Sequence, residues 1–295
     1  MDWVAGIQKA VDYAEEHILE EIDYEEVAKQ AYSSPFHFQR VFGVLCGFTL
    51  GDYIRMRRLS LAAEELTRGE DRIIDVAMKY GYDTPESFTR AFTKYHGITP
   101  SEARKGGRVK TFTPLHVKLT LSGGTKMDYR IEKMDAFRVV CKRQKVGKPA
   151  SMEATQDITN FWTQCGQDGS MQRIIGYFPQ QPKLKGLLGI CFSSELDANH
   201  FPYGIGVEYD GRPVADEDLE VVEIPAHTYA VFIAKGKMPD AFVETYKKIV
   251  SEFFPQSTQY YYAEGVELEV YPSEDVSNPD YSCEIWIAVN ECHRK

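Results

Sequence analysis

The stretch Ser34-Pro35-Phe36-His37-Phe38-Gln39-Arg40-Val41-Phe42 returns later in the chain as Thr84-Pro85-Glu86-Ser87-Phe88-Thr89-Arg90-Ala91-Phe92. Each copy opens with a hydroxyl residue followed by proline, which is typical of a helix N-cap and first turn. Each then places two phenylalanines and a smaller apolar residue at the spacing of one buried helical stripe. The two stretches therefore predict two helices of the same design.

A shorter helix is predicted before each copy, over residues 24–31 and 73–80. A tight turn joins the two helices in each case, and the second helix keeps a polar and cationic side off its apolar stripe. This is the helix-turn-helix arrangement, and it occurs twice. Residues 49–66 predict one further helix that connects the two units.

The polar side of each second helix carries residues that can read DNA bases. Arginine donates two hydrogen bonds to guanine, and glutamine pairs with adenine in the same way. Gln39 and Arg40 are neighbours in the first copy, and Arg90 holds the place of Arg40 in the second. For one copy alone, a plain helical bundle with solvated arginines is an equal alternative. Two copies with matched caps, phenylalanines and arginines favour DNA binding.

These residues resemble the DNA-binding domain of the AraC/XylS family of transcription regulators over about the first 105 positions. The resemblance rests on Tyr53-Ile54-Arg55-Met56-Arg57-Arg58-Leu59, Ile74-Asp75-Val76-Ala77, Gly81-Tyr82, Phe88-Thr89-Arg90-Ala91-Phe92 and Gly97-Ile98-Thr99-Pro100. It implies that the two recognition helices enter successive major grooves, and that a monomer can bind. It also implies a set of DNA-contacting residues: Phe36, Gln39, Arg40, Glu86, Ser87, Arg90 and Lys94. Glu86 either accepts from a cytosine amino group or lies on a helix that makes mostly backbone contacts.

Net charge and cysteine use bound the function and the compartment. The net charge of −10 counts against nucleic-acid binding, but residues 1–32 hold nine acids against two bases. Basic residues outnumber acidic ones over 33–62 and 85–108, where the recognition elements lie. The six cysteines have neither CxxC nor metal-site spacing, so we expect reduced thiols and no metal or cofactor. Without a signal peptide or an apolar run long enough to span a membrane, the chain is expected to be cytoplasmic.

The predicted fold class is multidomain. An all-α double helix-turn-helix domain over 1–107 precedes a linker over 108–125, in which Ser122-Gly123-Gly124 marks the boundary. From residue 126 to 295 the pattern changes to two successive β-hairpin, helix, β-hairpin units. These predict an α+β domain in which the helices pack on one face of an antiparallel sheet.

The last predicted strand, over 283–289, suggests a ligand site. Its alternation places Cys283, Ile285, Ile287 and Val289 on one face and Glu284, Trp286 and Ala288 on the other. The all-apolar face is expected to pack on the helices. The other face is then either an ordinary solvated surface or a pocket in which a carboxylate and an indole attract a cationic or polar aromatic ligand.

A second resemblance favours the pocket. Leu268-Glu269-Val270-Tyr271-Pro272, Asp280-Tyr281 and Glu284-Ile285-Trp286-Ile287 are similar to the end of a GyrI-like effector-binding domain, which would cover about 126–291. An AraC-type reader joined to this domain resembles the Rob-type architecture and, in its second half, multidrug-sensing regulators. The resemblance implies that Glu284 is the acid of the ligand cleft and that Trp286 shares its wall. We expect Trp162, Tyr203 and Tyr229 to complete the ligand-binding set.

The sequence thus predicts a DNA-binding transcription regulator, and not an enzyme, whose second domain senses a small, cationic or aromatic molecule. The alternatives are a GyrI-like hydrolase or a protein-binding module attached to the DNA-binding domain. The expected partners are double-stranded promoter DNA, the small-molecule effector and, as a further option, RNA polymerase. No membrane partner is expected, and the protein is expected to be a monomer.

Because few basic residues are placed to reach phosphate, we expect DNA binding to depend only moderately on salt. A plot of log affinity against log salt concentration should have a slope shallower than about −10, the value of a repressor with many phosphate contacts. Titrating operator affinity between about 50 and 200 mM salt measures this slope. A slope as steep as that of the repressor would contradict the expected number of phosphate contacts.

Overall fold

A computed structural model describes residues 3–69, 71–117, 127–149, 151–197, 200–273 and 275–292 of the 295. Contacts within the chain divide it into two compact units. Unit 1 comprises Met1–Pro35 and Phe48–Thr120, and unit 2 comprises Phe36–Gly47 and Leu121–Lys295. Among the described residues, no helix is both long enough and apolar enough to cross a membrane.

The first part of the chain is helical, as predicted. Its helices are α1 (Trp3–Glu16), α2 (Tyr24–Gln30), α3 (Pro35–Cys46), α4 (Leu50–Arg68), α5 (Ile73–Lys79), α6 (Pro85–His96) and α7 (Pro100–Arg104). All of them except α3 belong to unit 1, whereas α3 from Phe36 onward belongs to unit 2. The first recognition helix therefore packs in the same compact unit as the second half of the chain.

The second helix-turn-helix is built as its sequence predicts. The Thr84 hydroxyl accepts a hydrogen bond from the backbone N–H of Ser87 at the start of α6, and Gly97 ends that helix with a φ of +84°. Phe88 and Phe92 are completely buried, in a cluster with Leu59 and other residues of α4, α5 and α7. The predicted apolar stripe is thus the core of this half of unit 1.

The arginines of α4 stabilise unit 1 itself. The Arg57 Nε donates to Glu15 at 2.8 Å, and its guanidinium also donates to the backbone carbonyl of Phe112. Arg58 donates to the carbonyls of Ile18 and Glu20. Because their donors are engaged within the unit, we assign these two arginines to folding rather than to DNA contact.

Unit 2 contains the strands β1 (Tyr129–Met134), β2 (Phe137–Val146), β3 (Leu187–Cys191), β4 (Phe201–Glu208), β5 (Glu220–Ile224), β6 (His227–Lys235), β7 (Tyr260–Tyr262), β8 (Glu267–Tyr271) and β9 (Ser282–Glu291). Its helices are α8 (Met152–Gln167), α9 (Ser170–Gly176) and α10 (Asp240–Lys248), and α10 continues through a π-helical turn (Ile249–Phe253) into α11 (Phe254–Gln256). The strand pairs over the described residues are antiparallel, as predicted.

The sheet has a symmetric order. It runs β1-β6-β9-β8-β3-β4-β2-β5, with β7 beside β9. The first half of unit 2 contributes β1 to β4, and the second half contributes β5, β6, β8 and β9 as its four main strands. From either end of the sheet, the first strand of one half is followed by the second, fourth and third strands of the other half. The two halves of unit 2 are therefore topological repeats that meet at the β3–β8 pair, although their sequences are too different to reveal this.

The order corrects one detail of the predicted repeats. β1 and β2 were expected to form a hairpin, as were β5 and β6. Instead β1 pairs with β6, and β2 pairs with β4 and β5. The first strand of each half thus pairs with the second strand of the other half. This pairing joins residues far apart in the chain, so local sequence patterns cannot show it.

The proposed domain boundaries remain a prediction. The predicted linker begins at 108, but its first residues pack on unit 1, where the backbone N–H of Lys110 donates to His96 Nδ1 and that of Phe112 donates to the Ser60 hydroxyl. The Ser122-Gly123-Gly124 boundary lies outside the described residues. The compact units differ from the predicted domains chiefly in the position of α3.

Candidate functional site

The second recognition helix, α6, keeps its polar side exposed. Glu86, Arg90 and Lys94 are exposed one helical turn apart, and with Pro85, Thr89 and Thr93 they line a shallow groove. Ser87 is partly buried next to the N-cap. A cationic helix face of this kind is suited to the major groove of DNA.

The first recognition helix, α3, differs from α6 in its surroundings. Phe36 and Gln39 are buried, and the Arg40 side chain is only 13% exposed. The Phe36 ring lies edge-on to that of Phe201, with centroids 5.0 Å apart. A base reader needs an accessible side chain, so Phe36, Gln39 and Arg40 cannot contact DNA bases in the arrangement seen here. The reason is that this face of α3 packs within unit 2.

The side chains of β8 define the centre of the site in unit 2. Alternation along this strand places Glu267, Glu269 and Tyr271 on one face and the residues between them on the other. Both carboxylate residues are buried, with 2% and 7% of their surface exposed. Two buried acids on one strand face require hydrogen bonds and a compensating charge.

Glu269 is satisfied by two phenols. The hydroxyls of Tyr203 and Tyr271 donate to its Oε2 at 2.8 and 2.9 Å. The indole N–H of Trp162, on α8, donates to the Tyr203 oxygen at 3.0 Å and so orients that phenol toward the carboxylate. Gly189 on β3 makes room, because a methyl group there would collide with the Tyr203 hydroxyl and the Glu269 carboxylate.

Glu267 is instead satisfied mainly by a cation. Arg40 Nη1 lies 2.6 Å from its Oε2, and Arg40 Nη2 lies 3.8 Å from Glu269 Oε1. The phenols of Tyr246 and Tyr262 reach Glu267 only at 3.3–3.4 Å. The guanidinium carbon also lies 4.2 Å from the Tyr246 ring centroid, which is within cation–π range.

We call this group the carboxylate cage: Glu267, Glu269, Tyr203, Tyr246, Tyr271 and Trp162. Burial lowers the pKa of Arg40, but the acidic groups around it, Glu267 first among them, together outweigh burial and leave that pKa well above its ordinary value. Burial, followed by the charge of Glu269, raises the pKa of Tyr203 and of Tyr271 well above the usual range. The phenols therefore stay protonated donors, and the occupant of the cage stays charged.

The structure does not bring all the expected ligand-binding residues together. Trp162 and Tyr203 belong to the cage. Glu284 pairs with Val270 across β8 and β9, so it lies on the opposite face of the sheet from Glu269, which pairs with Ile285. There Glu284 binds Arg130 at 2.8 Å and accepts from the Trp286 indole at 2.9 Å. Tyr229 is buried on that same face, against Trp286.

This placement corrects the expectation that Glu284, Trp286 and Tyr229 share a pocket with Trp162. The predicted apolar face of β9 does lie on the helix-covered side, but the acids on that side come from β8. A signal was present, because Glu267, Glu269 and Tyr271 alternate with Val266, Leu268 and Val270. The same alternation is typical of a solvated sheet face, and for that reason these acids were not identified from the sequence.

Comparison with known proteins shows what kind of chain carries these two sites. A family model described as an integron-associated effector binding protein (Cass2) matches residues 130–289, more than half of the 295. The chain belongs to this family. A helix-turn-helix domain model matches residues 27–106. Together they confirm the predicted AraC-type DNA-binding domain, the GyrI-like effector-binding domain and the fold class.

Several relatives match the DNA-binding part. The regulatory protein SoxS of Escherichia coli (strain K12) is 42% identical over 98 residues, which are 33% of this chain and 92% of SoxS. An uncharacterized HTH-type transcriptional regulator, YbfP of Bacillus subtilis (strain 168), is 36% identical over 104 residues, 35% of each chain. The transcriptional regulator Rob of Salmonella typhimurium is 35% identical over 112 residues, 38% of this chain and 39% of Rob.

A solved structure matches the effector-binding part. SAV2435 bound to tetraphenylphosphonium is 25% identical, with a TM-score of 0.47, over 56% of this chain and 94% of that one. The matched families and relatives identify the chain as an AraC-type DNA-binding transcription regulator with a Cass2/GyrI-like effector-binding domain.

Gly189→Ala should disturb the cage of this regulator selectively. The added methyl group would push apart Tyr203 and Glu269, and we expect a loss of about 1–3 kcal/mol in the free energy of unfolding. Gly166→Ala, in open space within α8, is the control, and should be neutral or stabilising by up to about 1 kcal/mol. Urea unfolding of both variants measures the difference, and equal stabilities would mean that Gly189 makes no special room.

Proposed function

We propose that the carboxylate cage binds an organic cation and that this binding controls how the regulator binds promoter DNA. The observation that carries the proposal is the state of Glu267. It is buried, it receives only long contacts from phenols, and its short contact is to a guanidinium. A site in this state selects a cation, because a buried carboxylate without one is costly.

The shape of the cage narrows the class of ligand. Two carboxylates bind positive charge, and the ring of Tyr246 offers a face to a flat cationic group. A guanidinium or amidinium joined to an apolar body combines both properties. The sequence-based expectation of a cationic or aromatic effector is therefore kept, with Glu267 and Glu269 in place of Glu284 as the acids.

The cage favours sensing over hydrolysis. A hydrolase of the alternative type would use a cleft glutamate and a tyrosine against an electrophilic ligand. Here the pKa of Tyr203 is raised by burial and by Glu269, which works against a phenolate nucleophile. We therefore propose that unit 2 is a sensor and not an enzyme.

For DNA, we propose that α6 reads bases through Arg90, with Glu86, Ser87 and Lys94 beside it, and that α3 contributes Phe36, Gln39 and Arg40 in a DNA-bound state. The exposed groove of α6 supports the first part. The protein would act as a monomer at its promoter, with RNA polymerase as the partner that its bound state recruits or excludes.

The cation proposal is tested with phenylguanidinium and its neutral isostere phenylurea. We expect phenylguanidinium to bind and stabilise the protein, by about 2.7 kcal/mol at 100 times its dissociation constant, and phenylurea to have little effect. Glu267→Gln and Glu269→Gln should each weaken binding of the cation. Isothermal titration and melting curves provide the measurements.

Glu284→Gln is the matched control, because the same substitution on the opposite sheet face should leave cation affinity unchanged. Affinity should also fall as the pH is lowered, because burial raises the pKa of Glu267 against the opposing effect of Arg40, and protonation removes its charge. Equal binding of phenylurea, or equal affinity of wild type and Glu267→Gln, would overturn the proposed cation site.

Base reading by α6 is tested separately. Arg90→Ala should cost about 1–3 kcal/mol of operator affinity and relax the preference at one base position. Lys94→Ala should weaken binding to all sequences to a similar degree, because a phosphate contact carries no base preference. Binding-site selection from a random duplex library measures both effects, and an unchanged base preference for Arg90→Ala would remove Arg90 from base reading.

A further inference from the structure

We propose that Arg40 is a built-in occupant of the carboxylate cage, which the effector must displace before α3 can read DNA. This inference rests on the proposed function of the cage as a cation site. It adds that the cation competing with the effector is the chain's own base-reading residue. Holding Arg40 in the cage would keep one of the two recognition helices inactive.

The first argument is the comparison of two equivalent arginines. Arg40 and Arg90 occupy the same position in the two copies of the motif, yet they differ in accessibility and in charge partner. Arg90 is exposed on the groove of α6, whereas the Arg40 side chain is 13% exposed and bound to Glu267. A guanidinium engaged in this way cannot present two donors to a guanine.

The second argument is that other side chains of α3, besides Arg40, also pack in unit 2. Phe36 packs against Phe201 and belongs to the apolar cluster that includes Phe161 and Tyr203. The ring of His37 stacks on Tyr262, with centroids 3.2 Å apart and an interplanar angle of 11°. Phe36, His37 and Arg40 each pack in unit 2, and Gln39 is buried as well, so the α3 residues that would meet DNA are not accessible.

The third argument is that two cations cannot share the position of Arg40. Its guanidinium lies between the Glu267 carboxylate at 2.6 Å and the Tyr246 ring at 4.2 Å, and it also contacts Cys191 Sγ at 3.4 Å. An effector cation that pairs with Glu267 in the same way must take this space. Binding of the effector and docking of Arg40 are therefore mutually exclusive.

Thermodynamic linkage then fixes the sign of regulation at the level of binding. If the effector releases α3 and DNA requires released α3, the two ligands favour the same state. Each must then raise the affinity for the other by the same factor. Saturating operator DNA should therefore tighten phenylguanidinium binding, and saturating phenylguanidinium should tighten operator binding.

The cation arm of the test compares Arg40→Met with Arg90→Met in the full chain. Arg40→Met removes the competing charge and should raise phenylguanidinium affinity by about tenfold or more, as expected when a competent state rises from a minor to the major population. Arg90→Met, at the equivalent position of α6, should leave that affinity unchanged. Equal affinity of wild type and Arg40→Met would overturn the proposal.

Arg40→Lys guards against a folding defect in Arg40→Met. Its ammonium keeps a positive charge near Glu267 but cannot reproduce the planar fork of a guanidinium. It should fold like the wild type, as checked by far-UV circular dichroism, and bind phenylguanidinium more tightly than wild type does. If the folded lysine variant binds no more tightly, the proposal fails.

The DNA arm needs no small ligand. Glu267→Gln weakens the hold on Arg40 and should raise affinity several-fold for an operator selected from a random library, whereas the control Glu284→Gln should not change it. Unchanged operator affinity of Glu267→Gln overturns the sequestration of Arg40. If operator affinity rises but neither wild type nor Arg40→Met binds phenylguanidinium, the cation-effector proposal fails while the sequestration of Arg40 stands.

Discussion

The burial of two carboxylates on one face of β8 is the constraint on which the rest of unit 2 depends. Glu267 and Glu269 carry like charges two residues apart, and both lie under the helices of the sheet. Glu269 accepts hydrogen bonds from phenols, of which Tyr203 is oriented by Trp162. The absence of a side chain at Gly189 leaves room for the Tyr203 hydroxyl and the Glu269 carboxylate. Glu267 depends on a guanidinium. A cation beside Glu267 thus offsets the cost of burying that carboxylate, and this is the property that the proposed cation sensor needs.

The symmetric sheet explains why the cage lies where it does. β3 and β8 meet at the junction of the two halves, and the cage is built around this central pair. Each half also supplies an aromatic wall from its own helix, Trp162 from α8 and Tyr246 from α10. A duplicated unit therefore encloses a site that neither half forms by itself.

The two halves of unit 2 build one site together, whereas the two copies of the helix-turn-helix lie in different environments. Arg90 remains on an exposed helix face, whereas Arg40 lies in the cage. Both arginines have the chemistry for guanine, but only an accessible one can use it. Under the proposed function, the exposed Arg90 can reach a base while the buried Arg40 cannot, and a ligand that displaces Arg40 from the cage would make it accessible.

Local patterns in the sequence were sufficient to determine the recognition helices, the cap at Thr84, the buried Phe88 and Phe92, and the change from helices to an antiparallel sheet. These features depend on spacings of a few residues, which a single chain displays directly. Which of the alternating acids is buried, how the first strands are exchanged between halves, and where Arg40 lies were decided only by tertiary structure. Glu284 and Glu267 occupy similar alternating strands in the sequence, and their difference comes from which sheet face the helices cover, a contact between residues far apart in the chain.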